Sequence, residues 1–110
     1  MNTKSEMEKP LGELEQAVLI AVVMLDSNAY GITVQEQVKK RTGRDLSTGV
    51  IYSVLSRLEE KRFLESELGD PTPERGGRRK RIYRATDSGK EALETARQFV
   101  ANLWRGFAAA

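Results

Sequence analysis

The segment from Ser47 to Lys61, "STGVIYSVLSRLEEK", permits little besides one helix with a single buried side. Its large apolar residues Ile51, Val54, Leu55 and Leu58 recur at i, i+3, i+4 and i+7, which is one face of an α-helical period. Ser47 supplies a capping hydroxyl, so the spacing predicts a helix over about Thr48 to Lys61. The opposite face then consists of Gly49, Tyr52, Ser53, Ser56 and Arg57, with Glu60 at the far end. In a chain that is 31 % charged, a face that only meets water would carry Lys and Glu. This face is small and hydroxylated, so a partner can come close, and its Ser, Tyr and Arg offer donors to phosphates and base edges. A few serines on a solvated helix are the plainer explanation.

The residues after this helix narrow the choice. Phe63, Glu65 and Glu67 alternate with Leu64, Ser66 and Leu68, and in "RIYRAT" Ile82 and Arg84 oppose Tyr83 and Ala85, so both stretches read as short half-buried strands. Gly69, Pro71, Pro73, Gly76 and Gly77 between them are turn chemistry. The product is a two-stranded hairpin whose tip and second strand are basic. From Glu74 to Arg84 the chain carries Arg75, Arg78, Arg79, Lys80, Arg81 and Arg84 against one acid, a local charge of +5 in a protein of net charge +2. The charge is placed rather than spread, which points to a polyanion met at one surface element. A solvated basic loop is the alternative.

Upstream, Met1 to Pro10 is polar, lacks periodicity and reads as a loose, flexible lead-in. A helix over about Leu11 to Leu25 is apolar around most of its circumference after Glu15, as suits a central core helix or one between subunits. "DSNAYG" ends it. Thr33 and Glu36 have capping-box spacing, predicting a second helix from about Thr33 to Arg41 that stops at Thr42-Gly43. A fourth helix, capped by Asp87 or Ser88, runs from Gly89 onward. It carries Leu93, Ala96, Val100, Leu103 and Phe107 in 3, 4, 3, 4 spacing with Trp104 beside them, a seam that suits a dimer contact. A chain of 110 residues makes one domain with a modest core, which dimerisation would help to complete.

Composition excludes other chemistry. The chain has no Cys and no His, which removes disulfides, thiolate metal sites and the commonest nucleophiles and general bases. No metal or other cofactor is expected. The longest apolar run, Ala17 to Leu25, is about half of a membrane span. "GGRRKR" is not a phosphate loop of the NTPase kind, because Gly77 leads into a basic strand and not into Lys-Ser/Thr at a helix start. Three helices, a basic hairpin and a further helix are the order of a winged helix-turn-helix, mainly α with a small two-stranded antiparallel sheet. Its third helix enters the major groove and its hairpin reaches the adjacent backbone or minor groove. The competing reading is a non-DNA module that binds RNA or an acidic protein, or sequesters an aromatic drug through Trp104 and Phe107.

"YGITVQEQV", "STGVIYSVLSRLEEKRFLE" and "GGRRKRIYRATDSGKEAL" resemble the successive signatures of the PadR family of bacterial transcriptional regulators, over about Leu11 to Leu93. The resemblance implies a winged-helix DNA-binding domain over residues 11–87 and a C-terminal dimerisation helix over 88–110. It further implies a cytoplasmic, nucleoid-associated homodimer on double-stranded DNA with an inverted-repeat operator, usually repression, and often release by a small molecule. Matched by motif, Ser47, Thr48, Gly49 and Tyr52 fall on the recognition helix, joined from its outer face by Ser53 and Arg57. Gly76, Gly77, Arg78, Arg79 and Lys80 match the wing tip, where Arg75 and Arg81 join them as expected DNA contacts, while Tyr83 matches a strand aromatic expected to be packed. Leu93, Ala96, Val100, Leu103, Trp104 and Phe107 would form the dimer contact. The chain departs from the pattern twice. Arg62 stands where the family usually has Gly, which would strain it mildly in a left-handed backbone. Multidrug-responsive short members place a Trp where this chain has Val100, with Trp104 about one turn further along, so Val100 and Trp104 are the candidate effector residues.

Overall fold

The computed structural model of the chain describes residues 11–71 and 79–110. Helices α1 (Glu13–Leu25), α2 (Gly31–Thr42) and α3 (Thr48–Glu60) precede a hairpin of β1 (Leu64–Pro71) and β2 (Arg79–Ala85), and α4 (Asp87–Ala109) closes the chain. A 3₁₀ turn, Asp26–Asn28, joins α1 to α2. The expected order of elements and fold class are both found. Leu19, Val22, Val34, Val38, Ile51, Leu55, Leu58 and Leu64 form the fully covered centre of the core, and their stripes decide which side of each helix faces out.

Local chemistry accounts for the helix ends. The Glu15 carboxylate reaches back to accept the Gly12 N–H at 2.8 Å, and Glu13 and Glu15 lie at the positive end of the α1 dipole. At α2 the expected Thr33–Glu36 box does not form, and the helix starts two residues earlier. Tyr30 is the N-cap, with Thr33 Oγ1 accepting the Tyr30 N–H at 3.0 Å and donating to Asn28 O at 2.6 Å. Ser47 caps α3 as expected, accepting from Val50 N at 3.2 Å.

The end of α3 is a Schellman motif. Phe63 N donates to Leu58 O and Arg62 N to Glu59 O, at 2.9 and 3.0 Å, with Arg62 in the left-handed region at φ 66°. Glycine usually holds this position, so the strain anticipated for Arg62 is present. Phe63, expected at the start of a strand, belongs to this turn and is buried by it.

Thr86, and not Asp87 or Ser88, caps α4. Its Oγ1 accepts from Gly89 N at 3.0 Å and donates to Arg62 O at 2.8 Å, while its N–H bonds Phe63 O at 3.0 Å. The approach is so close that a Cβ on Gly89 would lie 2.3 Å from Phe63 O, leaving glycine as the side chain that fits without a shift.

Both strands exceed expectation, β1 running to Pro71 and β2 starting at Arg79. They pair antiparallel with Ser66 opposite Tyr83 and Leu68 opposite Arg81, and the register shifts between Leu68 and Pro71. Leu64 and Tyr83 fill the inner face, Tyr83 packing as anticipated. Glu65 and Arg84 pair at 3.0 Å on the outer one. Tyr83 N also donates to Ala29 O at 2.8 Å, so the far edge of β2 is tied to the α1–α2 connection.

Replacing Arg62 with Gly should remove the left-handed penalty and stabilise the fold by about 1 kcal/mol. An increased midpoint of urea unfolding at unchanged slope checks this.

Candidate nucleic-acid interface

Because Ile51, Val54, Leu55 and Leu58 are buried, helical geometry leaves Thr48, Gly49, Tyr52, Ser53, Ser56 and Arg57 on the exposed side of α3. Of the recognition-helix candidates, Thr48, Gly49, Tyr52, Ser53 and Arg57 share this surface, while Ser47 is the exposed N-cap that precedes the helix. Tyr52 is less free than its 44 % exposure suggests. Its hydroxyl lies against Gly31 at the start of α2, where a Cβ would come within 2.1 Å, so a glycine on another helix makes room for the ring.

Arg57 has a second neighbour that helical periodicity does not anticipate. Its Nη1 lies 3.9 Å from Oε2 of Glu15, and Lys61 Nζ donates to the same oxygen at 2.7 Å. Glu15 is only 5 % exposed. Burial alone would raise its pKa, but the Lys61 and Gly12 hydrogen bonds and the Lys61 and Arg57 charges outweigh burial and hold it below the ordinary carboxylate range. The ion pair joins the start of α1 to the last turn of α3 and keeps Arg57 at the rim of the outer face.

On the hairpin, the exposed Arg79 donates from Nε to Gly69 O at 2.8 Å. Lys80 Nζ stands 4.2 Å above the centre of the Tyr30 ring, a cation–π contact that turns it toward the helical body. Arg81 Nη1 donates to Ser66 Oγ at 3.0 Å. Arg75, Gly76, Gly77 and Arg78 lie outside the described residues. A further basic cluster is not among the residues expected from the sequence. Lys39, Lys40, Arg41 and Arg44 surround the α2–α3 connection, all exposed, with Lys39 3.5 Å from Asp45 and Arg44 2.9 Å from Glu13. Its signal in the chain is the density of cations in "KKRTGR".

The six seam residues of α4 divide. Leu93 is half-buried against the core and Ala96 is buried, so the first turns of the helix pack on their own domain. Val100, Leu103, Trp104 and Phe107 are exposed, as is Phe99, an unanticipated member of the stripe that lies three residues from Ala96 and four from Leu103. The Trp104 and Phe107 rings meet edge to face with centroids 5.1 Å apart. Val100 and Trp104 come together in a cleft of about 550 Å³ between α1 and α4, also lined by Gln16, Ile20, Leu93 and Arg97. Among the described residues no cluster of three or more metal-ligating side chains occurs, and no helix is long and apolar enough to cross a membrane.

A three-helix core whose third helix turns a small polar face outward beside a two-stranded wing defines a winged helix-turn-helix protein. Comparison with known proteins makes this specific: the model of the Transcriptional regulator PadR-like family matches residues 19–95. The chain belongs to that family of transcriptional regulators. A protein of Lysinibacillus sphaericus, described as uncharacterized, is 32 % identical over 84 residues, spanning 74 % of this chain and 72 % of its own. Among solved structures, a PadR-like transcription factor from Bacteroides fragilis superposes with a TM-score of 0.73 at 23 % identity, covering 99 % of this chain and 98 % of its own. Bacillus subtilis PadR in complex with operator DNA gives 0.62 at 24 % identity over 78 % of this chain and 47 % of that one.

The Glu15 pair carries a pH signature. Because the folded pKa is depressed, its stabilisation is complete above the unfolded-state value of about 4.3 and is lost as pH falls through the folded value. Glu15→Gln should therefore cost about 1–3 kcal/mol at neutral pH and progressively less in acid. Thermal unfolding of both proteins between pH 7 and pH 3 measures the convergence.

Proposed function

We propose that the protein is a homodimeric, sequence-specific regulator that binds double-stranded DNA at an inverted repeat and represses transcription there. The observation that carries the reading is the outer face of α3. Thr48, Gly49, Tyr52, Ser53 and Ser56 form a small, hydroxylated, exposed surface beside a basic hairpin, while the apolar stripe behind it is fully used by the core. Such a face fits a major groove. The cations on either side, Arg79 on β2 and Lys39, Lys40 and Arg44 at the α2–α3 connection, suit flanking phosphates. Arg75 and Arg78, which precede β2 in the sequence, would extend the same contact. A family relative, Bacillus subtilis PadR, has been solved with operator DNA, which supports the reading.

Support for dimerisation comes from the second half of α4. Phe99, Leu103, Trp104 and Phe107 are each about 60 % exposed or more, and a contiguous aromatic stripe of this kind is covered by a partner in most soluble proteins. Covering each such side chain is worth about 1.5–3 kcal/mol. A small planar effector would take the cleft between Val100 and Trp104 and register in Trp104 emission.

Selection of duplexes from genomic DNA, followed by footprinting, should return a palindrome protected by the dimer. On that duplex Arg79→Ala should lower the slope of log K against log salt by about 0.9, one phosphate contact. An unchanged slope counts against the hairpin as a backbone contact, and preference for single-stranded RNA over any duplex would favour the competing module. Separately, Leu103→Glu should convert the dimer to folded monomer in sedimentation experiments with circular dichroism unchanged. A variant that stays dimeric would remove α4 from the interface.

A further inference from the structure

The hairpin of a winged helix is a lever, and a two-stranded sheet holds no fixed angle by itself. In this chain its outer edge is tied through Tyr83 N to Ala29 O and through Lys80 to the Tyr30 ring. A different set of bonds ties the side that faces α3. Ser66 Oγ donates to Glu59 Oε2 at 2.6 Å and accepts from Arg81 Nη1 at 3.0 Å. A hydroxyl has one proton to give and lone pairs to receive with, so Ser66 bridges a carboxylate of α3 and a guanidinium of β2 in one step. Both of its bonds are charge-assisted, the stronger class. Arg81 is paired in the ladder with Leu68, one diagonal step from Ser66, so its side chain leans back along the hairpin toward the helix. Directly opposite Ser66, Tyr83 is buried. Burial, together with Glu59 and Tyr52, raises the pKa of its hydroxyl while Arg81 opposes them, which places the phenol among the same groups.

We propose that Glu59, Ser66 and Arg81 form a strut that sets the angle between α3 and the hairpin, and that Arg81 is a positioning residue for DNA binding and not a phosphate contact. The proposal rests on the DNA-binding function above. It departs from the simple expectation that every cation of "RRKR" neutralises a phosphate. The bonds divide the basic run: Arg79 and Arg81 are both exposed, but Arg79 bonds only the Gly69 carbonyl of its own hairpin, Lys80 is held over Tyr30, and Arg81 bonds the Ser66 hydroxyl that reaches Glu59 on α3. One neutral serine on the opposite strand thereby becomes as important to binding as a cation.

The test compares Ser66→Ala, Arg81→Gln and the double variant on a duplex selected with the wild-type protein. Each single change should weaken binding about tenfold, the loss expected for one hydrogen bond to a charged group at the low end of its range. The salt slope should change by less than about a third of the 0.9 expected for a lost phosphate contact. The double variant should bind no more weakly than the poorer single one. Additive losses, a neutral Ser66→Ala, or a full phosphate-contact drop in slope for Arg81→Gln would overturn the strut. Amide residual dipolar couplings of the free protein supply an arm without DNA. In Ser66→Ala the hairpin should reorient relative to α3, and couplings that superpose on the wild type would overturn the proposal. Failure of the wild-type protein to bind any duplex would instead overturn the proposed function, with the couplings still deciding the strut.

Discussion

Three residues after α3 hold the molecule together. Lys61 reaches the buried carboxylate of Glu15 and ties α1 to the end of α3. Arg62, left-handed at the Schellman position, turns the chain and offers its carbonyl to Thr86. Phe63 buries its ring and gives its own carbonyl to the Thr86 N–H. The start of the hairpin and the start of α4 thus share the same turn, which anchors the base of the hairpin and fixes where α4 departs from α3. The close approach of Gly89 to Phe63 O leaves no slack at this junction.

That arrangement divides the surface into working parts. The core consumes the apolar stripe of α3, so its other side has to be polar, yet the residues there are small where long charged side chains would suffice for solubility. Arg57 is the exception, and the Glu15 carboxylate restrains it at the edge of the face. Cations flank the face on α2 and on the hairpin, and intramolecular bonds engage Lys39, Arg44, Arg79 and Arg81 although each stays exposed. Charge density in the sequence therefore overstates the number of cations free to meet a polyanion.

The range of each interaction decides whether it is legible in the sequence. Ser47 and the Ile51–Leu58 stripe are local patterns, and they read correctly because a cap bond and a helical period need only near neighbours. Tyr83 is anticipated as a packing residue through the family resemblance, since alternation alone puts it on the same face as Arg81. Thr86 is hidden behind Asp87 and Ser88 because its capping role is fixed by Arg62 and Phe63, more than twenty residues earlier in the chain. Thr33 has the spacing of a cap and is the third residue of its helix, since its hydroxyl also serves Asn28 O outside the helix. The Arg57–Glu15 contact and the Ser66 bridge join different elements, so spacing does not show them. Leu93 and Ala96 fit the outer seam by periodicity, yet α1 and the core lie beneath them, and where the helix leaves its own domain is decided by packing alone.

In the proposed dimer this exit point has a consequence for recognition. Two-fold symmetry places a second α3 at a distance set by where α4 leaves one domain and meets its partner. The exit direction is set at Thr86 and Gly89, the residues that dock α4 on the turn following α3. Affinity for a half-site then depends on the outer face of α3 and on the hairpin angle, whereas spacing between half-sites depends on the junction at residues 61–63 and 86–89. The two properties are separated in the chain although they meet at one turn, so a regulator of this family could change the geometry of its site while the helix that reads each half remained the same.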